Sequence, residues 1–297
     1  MKIHITGGDG YIGENIFNSL RNKHEISTSD IQNLDVLNKD LLFEYFKEDT
    51  PDIIIHLAGL MGARQSTLEL YKTFSVNSFG LLNVLEAARL TGVKNIIFFS
   101  SLTVHGAHHD NNKKVSENDI YLPTHPYAAS KVIAEYILSD YSRSYKINAV
   151  ILRPTIVVGN LTGEENALNE FTRNAFNDEP IVIYGDGKHK REYISISDLV
   201  TAVEKTINYL EKNRDENICE TFIISSGEPI SMADLAINCV KKIGGGKVEY
   251  IDKSTQAFSL MSSVAKAKAQ LQWEPEDDVD TMIKDVLSTL KREKNDN

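Results

Sequence analysis

The chain is short of cysteine, of long apolar runs and of concentrated positive charge, and each shortage removes a class of protein. Its only cysteines, Cys219 and Cys239, form no C-x-x-C pair, and no histidines stand at metal-ligand spacing. No disulfide framework and no metal site are expected. Both thiols lie in apolar segments and are expected to be buried and reduced, which points to the cytoplasm. No run of about 18 apolar residues occurs, and the N-terminus leads directly into a strand, so neither a membrane span nor a signal peptide is expected. Against 32 basic residues stand 42 acidic ones, a net charge of −10. No basic block offsets that balance. Lys188 to Arg191 (K-H-K-R) is short and set in a loop, so no nucleic-acid surface is expected. There is no internal repeat and no low-complexity tract. What remains is 297 residues, enough for one substantial core with a smaller lobe beside it.

The most informative stretch comes first. Lys2 to Thr6 reads as a strand, and Gly7, Gly10 and Gly13 follow at G-x-x-G-x-x-G spacing, with Tyr11 and Ile12 opening a helix to about Asn22. The first glycine permits a tight turn, the second lets backbone approach a pyrophosphate, and the third lets the helix lie against the sheet. The free N–H groups of that helix then face the pyrophosphate. A possible strand, Glu25 to Ser29, ends at Asp30, seventeen residues past Gly13. A carboxylate there accepts from both ribose hydroxyls of an adenosine and repels a 2′-phosphate, favouring NAD over NADP; the alternative is a cap on a turn.

Strand and helix patterns then alternate. Asn33 to Val36 reads as a short element, Lys39 to Lys47 as an amphipathic helix, and Asp52 to Leu57 as a strand buried on both faces. After Leu57, Ala58 and Gly59 end that strand without bulk, room for a flat cofactor to cross. His56, inside it, reads as a hydrogen-bonded core histidine. Leu68 to Thr91 carries a helix pattern stopped by Gly92, Asn95 to Phe99 is another buried strand, Pro126 opens a helix to Tyr145, and Ile147 to Leu152 returns to the sheet. This order predicts an α/β fold, a doubly wound parallel sheet of Rossmann-like type. The long loop Leu102 to His125 reads as a cover or lid over the site. Beyond Pro154 the expected elements are helices at 165–177, 197–210, 232–243 and 279–291 and strands at 180–184 and 220–225, with Glu293 to Asn297 frayed. The division is thus a cofactor domain over residues 1–154 and a smaller C-terminal substrate-binding lobe over 155–297, interwoven with the end of the sheet.

Ser101, Tyr127 and Lys131 carry the chemistry. Tyr127 and Lys131 are four apart on a helix and share one face. An ammonium beside a phenol favours the phenolate, bringing a group that ordinarily titrates near pH 10 within reach of base catalysis. Ser101, ending a buried strand, can donate to the same substrate oxygen.

With Gly7-Gly8-Asp9-Gly10-Tyr11-Ile12-Gly13, Asp35, His56-Leu57-Ala58-Gly59, Asn77, Ser100-Ser101, Thr103, Pro126-Tyr127 with Lys131, and Leu152-Arg153-Pro154, the chain resembles the extended short-chain dehydrogenase/reductase superfamily. The resemblance is to its NAD-dependent epimerase/dehydratase branch, which acts on nucleotide sugars, and it runs to about residue 290. It implies that Asp35 lies near adenine, that Asn77 supports the helix of Tyr127 and Lys131, and that Ser100 and Pro154 join the cofactor site. Tyr127 becomes the base, Lys131 also holds the nicotinamide ribose, Ser101 and Thr103 bind the reacting sugar hydroxyls, and Arg191 binds the nucleotide diphosphate, with Asp198 starting the next helix. A homodimer, paired through the helices after Leu68 and Pro126, is implied as well.

The sequence also departs from that pattern. Ile156 replaces an asparagine diphosphate ligand, His105 replaces a tyrosine, and before Trp273 the customary arginine and the aspartate near Ser263 are absent. Arg64 or Lys188 are candidates to hold substrate instead. Leu102 and Thr103 stand where dehydratases carry an acid pair, so dehydration is disfavoured. Epimerisation of a nucleotide sugar at C4 is the first expectation. A reductase of a 4-keto sugar or related carbonyl comes second, and a non-catalytic nucleotide-binding protein third.

Overall fold

Six short segments with β-branched and aromatic residues build one parallel sheet. In the computed structural model, which describes residues 1–106, 113–159, 166–253 and 258–296, they are β1 (Lys2–Thr6), β2 (Glu25–Ser29), β3 (Ile53–His56), β4 (Asn95–Phe99), β5 (Asn148–Pro154) and β6 (Cys219–Ile224). Their spatial order is β6-β5-β4-β3-β1-β2, with every pairing parallel. The order reverses between β1 and β3, which opens a crevice beyond their carboxyl ends.

Helices cover both faces. On one lie α1 (Tyr11–Leu20) and, from much later in the chain, Ile196–Lys212; Ile16, Leu20, Leu199, Val203 and Ile207 pack there on Ile3, Ile5 and Ile55. On the other lie α2 (Lys39–Glu48), α3 (Leu81–Thr91) and α4 (Pro126–Tyr145), whose Phe46, Leu85 and Leu138 bury against Ile54, Ile96 and Phe98. The doubly wound, Rossmann-like expectation holds.

A smaller C-terminal subdomain has its own core, in which Phe171, Leu235 and Ile283 meet from α5 (Ala167–Phe176), α7 (Met232–Ile243) and α8 (Val279–Asp296), α6 being Ile196–Lys212. Pro180–Tyr184 pairs in parallel with Lys247–Ile251, and Tyr193–Ser195 with Ile156–Val158. β6 returns to the main sheet beside β5, so the chain leaves that sheet and re-enters it.

Four local expectations are corrected. Leu68 to Thr91 is not one helix: short helices Ala63–Leu68 and Leu70–Phe74 lead into a wide π turn, Ser75–Gly80, before α3. The extra residue in that turn points both Asn77 and Ser78 at Ser130 of α4. Asn33 to Val36 forms turns rather than a regular element, because its backbone bonds run to Asp30 and not to a strand. Cys219 is exposed, since it begins an edge strand, whereas Cys239 is buried. The last helix continues to Asp296, past the expected end at Lys291. Residues 107–112 of the expected lid, Glu165 and Asn297 lie outside the described residues. The lid's flanks are anchored: Lys114–Val115 pairs with Met261–Ser262, and Leu122 N–H donates to the Val104 carbonyl at 2.9 Å.

Candidate active site

The glycine turn sits at the crevice. Gly7 has φ +73°, and its N–H donates to the Ser29 carbonyl at 2.7 Å. A Cβ there would lie 2.7 Å from the Ala58 nitrogen, and one on Gly13 would lie 2.4 Å from the Gly7 carbonyl oxygen. Only glycine allows this turn to close on the end of β3 while α1 lies against it. Gly10 caps α1 without a side chain, and its Cβ would meet only the Gly7 oxygen, at 3.3 Å. No side chain caps α1, so its N-terminus opens beside a bare backbone turn. These residues fit a dinucleotide diphosphate.

The acidic residues flank this turn. Asp30, just past β2, accepts from the N–H groups of Ile31 at 2.7 Å and Asp9 at 3.3 Å, so its carboxylate is tied to the glycine loop itself. Asp35 accepts from Leu37 N–H at 2.9 Å, and the next residue, Val36, is held by Asn83 at 3.0 Å. Both readings of Asp30, as cap and as ribose partner, are compatible with that geometry. On the far side, Leu57, Ala58 and Gly59 follow β3, and Ala58 N–H reaches Thr6 Oγ1 at 3.3 Å. His56 is the core histidine expected. Its Nδ1 bonds Thr6 Oγ1 at 2.8 Å, and burial lowers its pKa to about 3.

Pro126 is the first residue of α4, and the His125 ring caps the helix by accepting from Ala128 N–H at 3.2 Å. That ring stacks on Tyr127 at 5.9 Å with an 11° interplanar angle. Lys131, one turn on, is buried, and its Nζ donates to the Phe99 carbonyl at 2.7 Å and lies 4.8 Å from the Phe98 ring centroid. Burial lowers its pKa to about 8, opposed by the charge of Glu135. Its Nζ also lies 5.9 Å from the Tyr127 ring centroid. A Cβ on Gly59 would fall 3.1 Å from Asn77 Oδ1 and 3.4 Å from Lys131 Nζ, so those three residues converge. Asn77 bridges them: it takes Leu60 N–H at 2.7 Å and gives to the Leu60 carbonyl at 3.0 Å and Ser130 Oγ at 2.9 Å. At the end of β4, Ser101 Oγ and Thr103 Oγ1 share a hydrogen bond of 2.9 Å. Lys131 thus joins the end of β4 to the helix that carries Tyr127.

The family model described as NAD dependent epimerase/dehydratase family matches residues 3–219. The chain belongs to this family. A Bacillus subtilis relative, "Uncharacterized UDP-glucose epimerase YtcB", is 27% identical over 97% of this chain and 96% of its own. The "dTDP-D-glucose 4,6-dehydratase" of Dictyostelium discoideum is 30% identical over 76% of this chain and 59% of its own. The structure of UDP-glucose-4-epimerase from Stenotrophomonas maltophila, determined with NAD and formylated UDP-arabinopyranose, shares the fold at TM-score 0.90 and 20% identity, covering 100% of both chains.

For this family member the remaining positions are distributed as follows. Pro154 ends β5. Arg191 lies in the smaller subdomain, its guanidinium 5.1 Å from the Phe258 ring centroid and donating to the carbonyls of Lys190 and Phe258. Among the described residues, no carboxylate forms an ion pair with it. Arg64 is exposed, and Lys188 is exposed and paired with Asp186 at 3.2 Å. Asp198 does more than start α6: its buried carboxylate accepts from Glu276 and Asp277 N–H, each at 3.0 Å, while Trp273 Nε1 donates to its carbonyl at 3.1 Å. Sequence reasoning missed Glu135, Tyr121 and Glu117 and gave Arg153 no role. The available signals were Glu135 standing four residues after Lys131 and an arginine inside an apolar strand, which must find partners.

Proposed function

We propose that this protein epimerises a nucleotide sugar at C4, using bound NAD and passing through a 4-keto sugar. The carrying observation is that Lys131, one turn after Tyr127 on α4, donates to the Phe99 carbonyl at the end of β4, the strand that leads into the Ser101–Thr103 hydroxyl pair, while the glycine turn closes on the end of β3. NAD supplies a reversible hydride acceptor when bound. Residues 1–154 hold it: Gly7, Gly10, Tyr11, Ile12 and Gly13 at the diphosphate, Asp30 at the ribose, Asp35 toward adenine, and Leu57 to Gly59, Asn77, Ser100 and Pro154 around the remainder. Asp30, lying against the glycine loop, disfavours a 2′-phosphate and so NADP.

Tyr127 withdraws the C4 hydroxyl proton. The Lys131 ammonium makes the phenolate affordable near neutrality, and Ser101 with Thr103 holds the sugar oxygen through hydroxyl donors. After the keto sugar turns over, the same phenol returns the proton and nothing is consumed. No acid pair follows Ser101, which argues against loss of water. The 155–297 lobe contributes Arg191, a partly buried guanidinium whose rigid donor fork suits a diphosphate. Relatives named as UDP-glucose epimerases support the reading. Ile156 and the missing arginine favour, as the second reading, a reductase acting on a 4-keto sugar with fewer diphosphate contacts.

A homodimer is part of the proposal. Tyr71 is 89% and Phe79 58% exposed, and Leu68, Ile133 and Tyr136 are exposed as well, all on α4 or the segments packed on it. Two free thiols suit the reducing cytoplasm. No helix among the described residues is long and apolar enough to cross a membrane.

Denaturing protein purified without added cofactor, then identifying the released nicotinamide, tests the first half. Supplying UDP-, dTDP- and GDP-hexoses while following reduced-cofactor absorbance and product identity tests the second. Tightly held NAD and an epimer formed without net absorbance change are expected, with Tyr127→Phe lowering turnover about 10²- to 10⁴-fold. An empty protein that consumes NADH or NADPH stoichiometrically would replace epimerisation with reduction.

A further inference from the structure

Arg153 sits near the end of a strand, N-A-V-I-L-R-P, all of whose residues are buried. A guanidinium in such a place persists only when its donors are met. Here Nε and Nη2 reach the two oxygens of Glu135 at 3.0 and 2.5 Å, Nη2 also gives to Tyr121 Oη at 2.9 Å, and Nη1 gives to the Glu117 carbonyl at 2.9 Å and to His105 Nε2 at 3.0 Å. Because His105 Nε2 accepts, its Nδ1 carries the proton, which goes to the Ile120 carbonyl at 3.2 Å. Arg153 and Glu135 are 2% and 1% exposed. Glu135 in turn takes a hydrogen bond from Ser100 Oγ, next to Ser101, and another from Tyr121 Oη at 2.8 Å. None of the proton or hydride steps above uses this cluster.

We propose that Glu135 is a positioning residue: clamped by Arg153 against Ser100, its carboxylate fixes the opening turns of α4 on the end of β4 and holds the Lys131 ammonium beside Tyr127. The inference rests on the roles given to Tyr127 and Lys131 under the proposed function. Around Lys131 stand the Tyr127 ring and Glu135 from its own helix, His56 from β3, the Phe98 ring and Phe99 carbonyl from β4, and Asn77 from the π turn. His56 is uncharged near neutrality, so Glu135 is the anion of that group. Burial draws Lys131 toward the free amine, and the carboxylate opposes it. Without Glu135 the amine loses its proton at lower pH and stops favouring the phenolate.

The test uses the full chain with isotope-labelled lysine, following the Lys131 Cε and Nζ resonances against pH. Glu135→Gln is expected to lower the Lys131 midpoint by about one unit, to move the basic limb of kcat the same way, and to change KM little. Glu135→Asp, which keeps the charge, is expected to restore the midpoint. Removing one partner of a buried pair strains the fold, so the double variant Glu135→Gln with Arg153→Met, which removes both charges, is measured alongside and is expected to show the same fall. A folded variant lacking the carboxylate whose Lys131 midpoint matches wild type overturns the proposal. Unfolding of both neutral variants with Glu135→Asp unchanged also overturns it, assigning the cluster to stability alone. The resonance readout needs no turnover, so a protein inactive on every sugar would sink the proposed reaction without touching this result.

Discussion

Acidification from pH 7.5 to 5 is expected to remove about 6 kcal/mol of stability through three buried histidines. His4 is enclosed in β1 between Ser27 Oγ and Ser29 Oγ, each at 2.9 Å, His56 is bonded to Thr6, and His105 is fixed by Arg153 and Ile120. Burial is the largest cause of each shift and lowers their pKa values to about 4, 3 and 4. In the unfolded chain a histidine titrates near 6.5, so below that pH the unfolded state binds protons that the folded state refuses. Stability is therefore complete above pH 6.5 and falls as pH drops toward the folded values, by about 1.4 kcal/mol per histidine per pH unit, or about 2 kcal/mol each by pH 5. Half-buried His24, His125 and His189 shift the same way and add to the trend. Carboxylates in an unfolded chain titrate near 4, below this window. The assay is urea unfolding at fixed ionic strength across pH 5 to 7.5, without cofactor, for wild type and His4→Gln. The variant should lose about one third of the slope that the three buried histidines contribute. A flat wild-type profile, or a His4→Gln slope equal to wild type, refutes the reasoning.

Two further outcomes are expected. Asp198→Ala strands the Glu276 and Asp277 N–H groups that its carboxylate now satisfies, so urea unfolding should show a loss of about 2 to 4 kcal/mol, and a loss under about 1 kcal/mol would mean the loop before α8 finds other partners. Tyr71→Glu combined with Phe79→Glu places charge on the exposed apolar face, and light scattering should report a monomer where wild type is a dimer; a wild-type monomer, or an unaltered mutant dimer, speaks against pairing through α4.

The fold was legible because its signals are local. Ile53–His56 and Asn95–Phe99 are short, apolar and bounded by turns, and Met232–Ile243 is bracketed by Ser231, which caps it, and Gly244, which ends it with φ +83°. Where local pattern failed, a distant partner had decided. Leu68 to Thr91 has helical periodicity throughout, yet Asn77 and Ser78 reach Ser130 on α4, and the backbone widens into a π turn to let both do so. Cys219 has apolar neighbours downstream, but strand order places it on the sheet edge, a fact of topology.

The site divides along the same line. Gly7, Tyr127 and Lys131 could be read from spacing, because a turn and one helical face bring each set together. The support beneath them joins residues 100, 105, 121, 135 and 153, and no spacing rule connects a strand end, a loop and two neighbouring elements. Structure also separates the departures from the family pattern. His105 is wholly buried, stacked on Tyr121 and bonded to Arg153, so its replacement of a tyrosine falls in the buried scaffold. Ile156 lies instead on a strand paired with Tyr193–Ser195, two residues beyond Arg191, where a lost polar side chain bears on what the smaller subdomain can grip. Under the proposed reaction the second departure is thus the one that bears on the substrate, while the first belongs to the buried cluster around the Arg153–Glu135 pair.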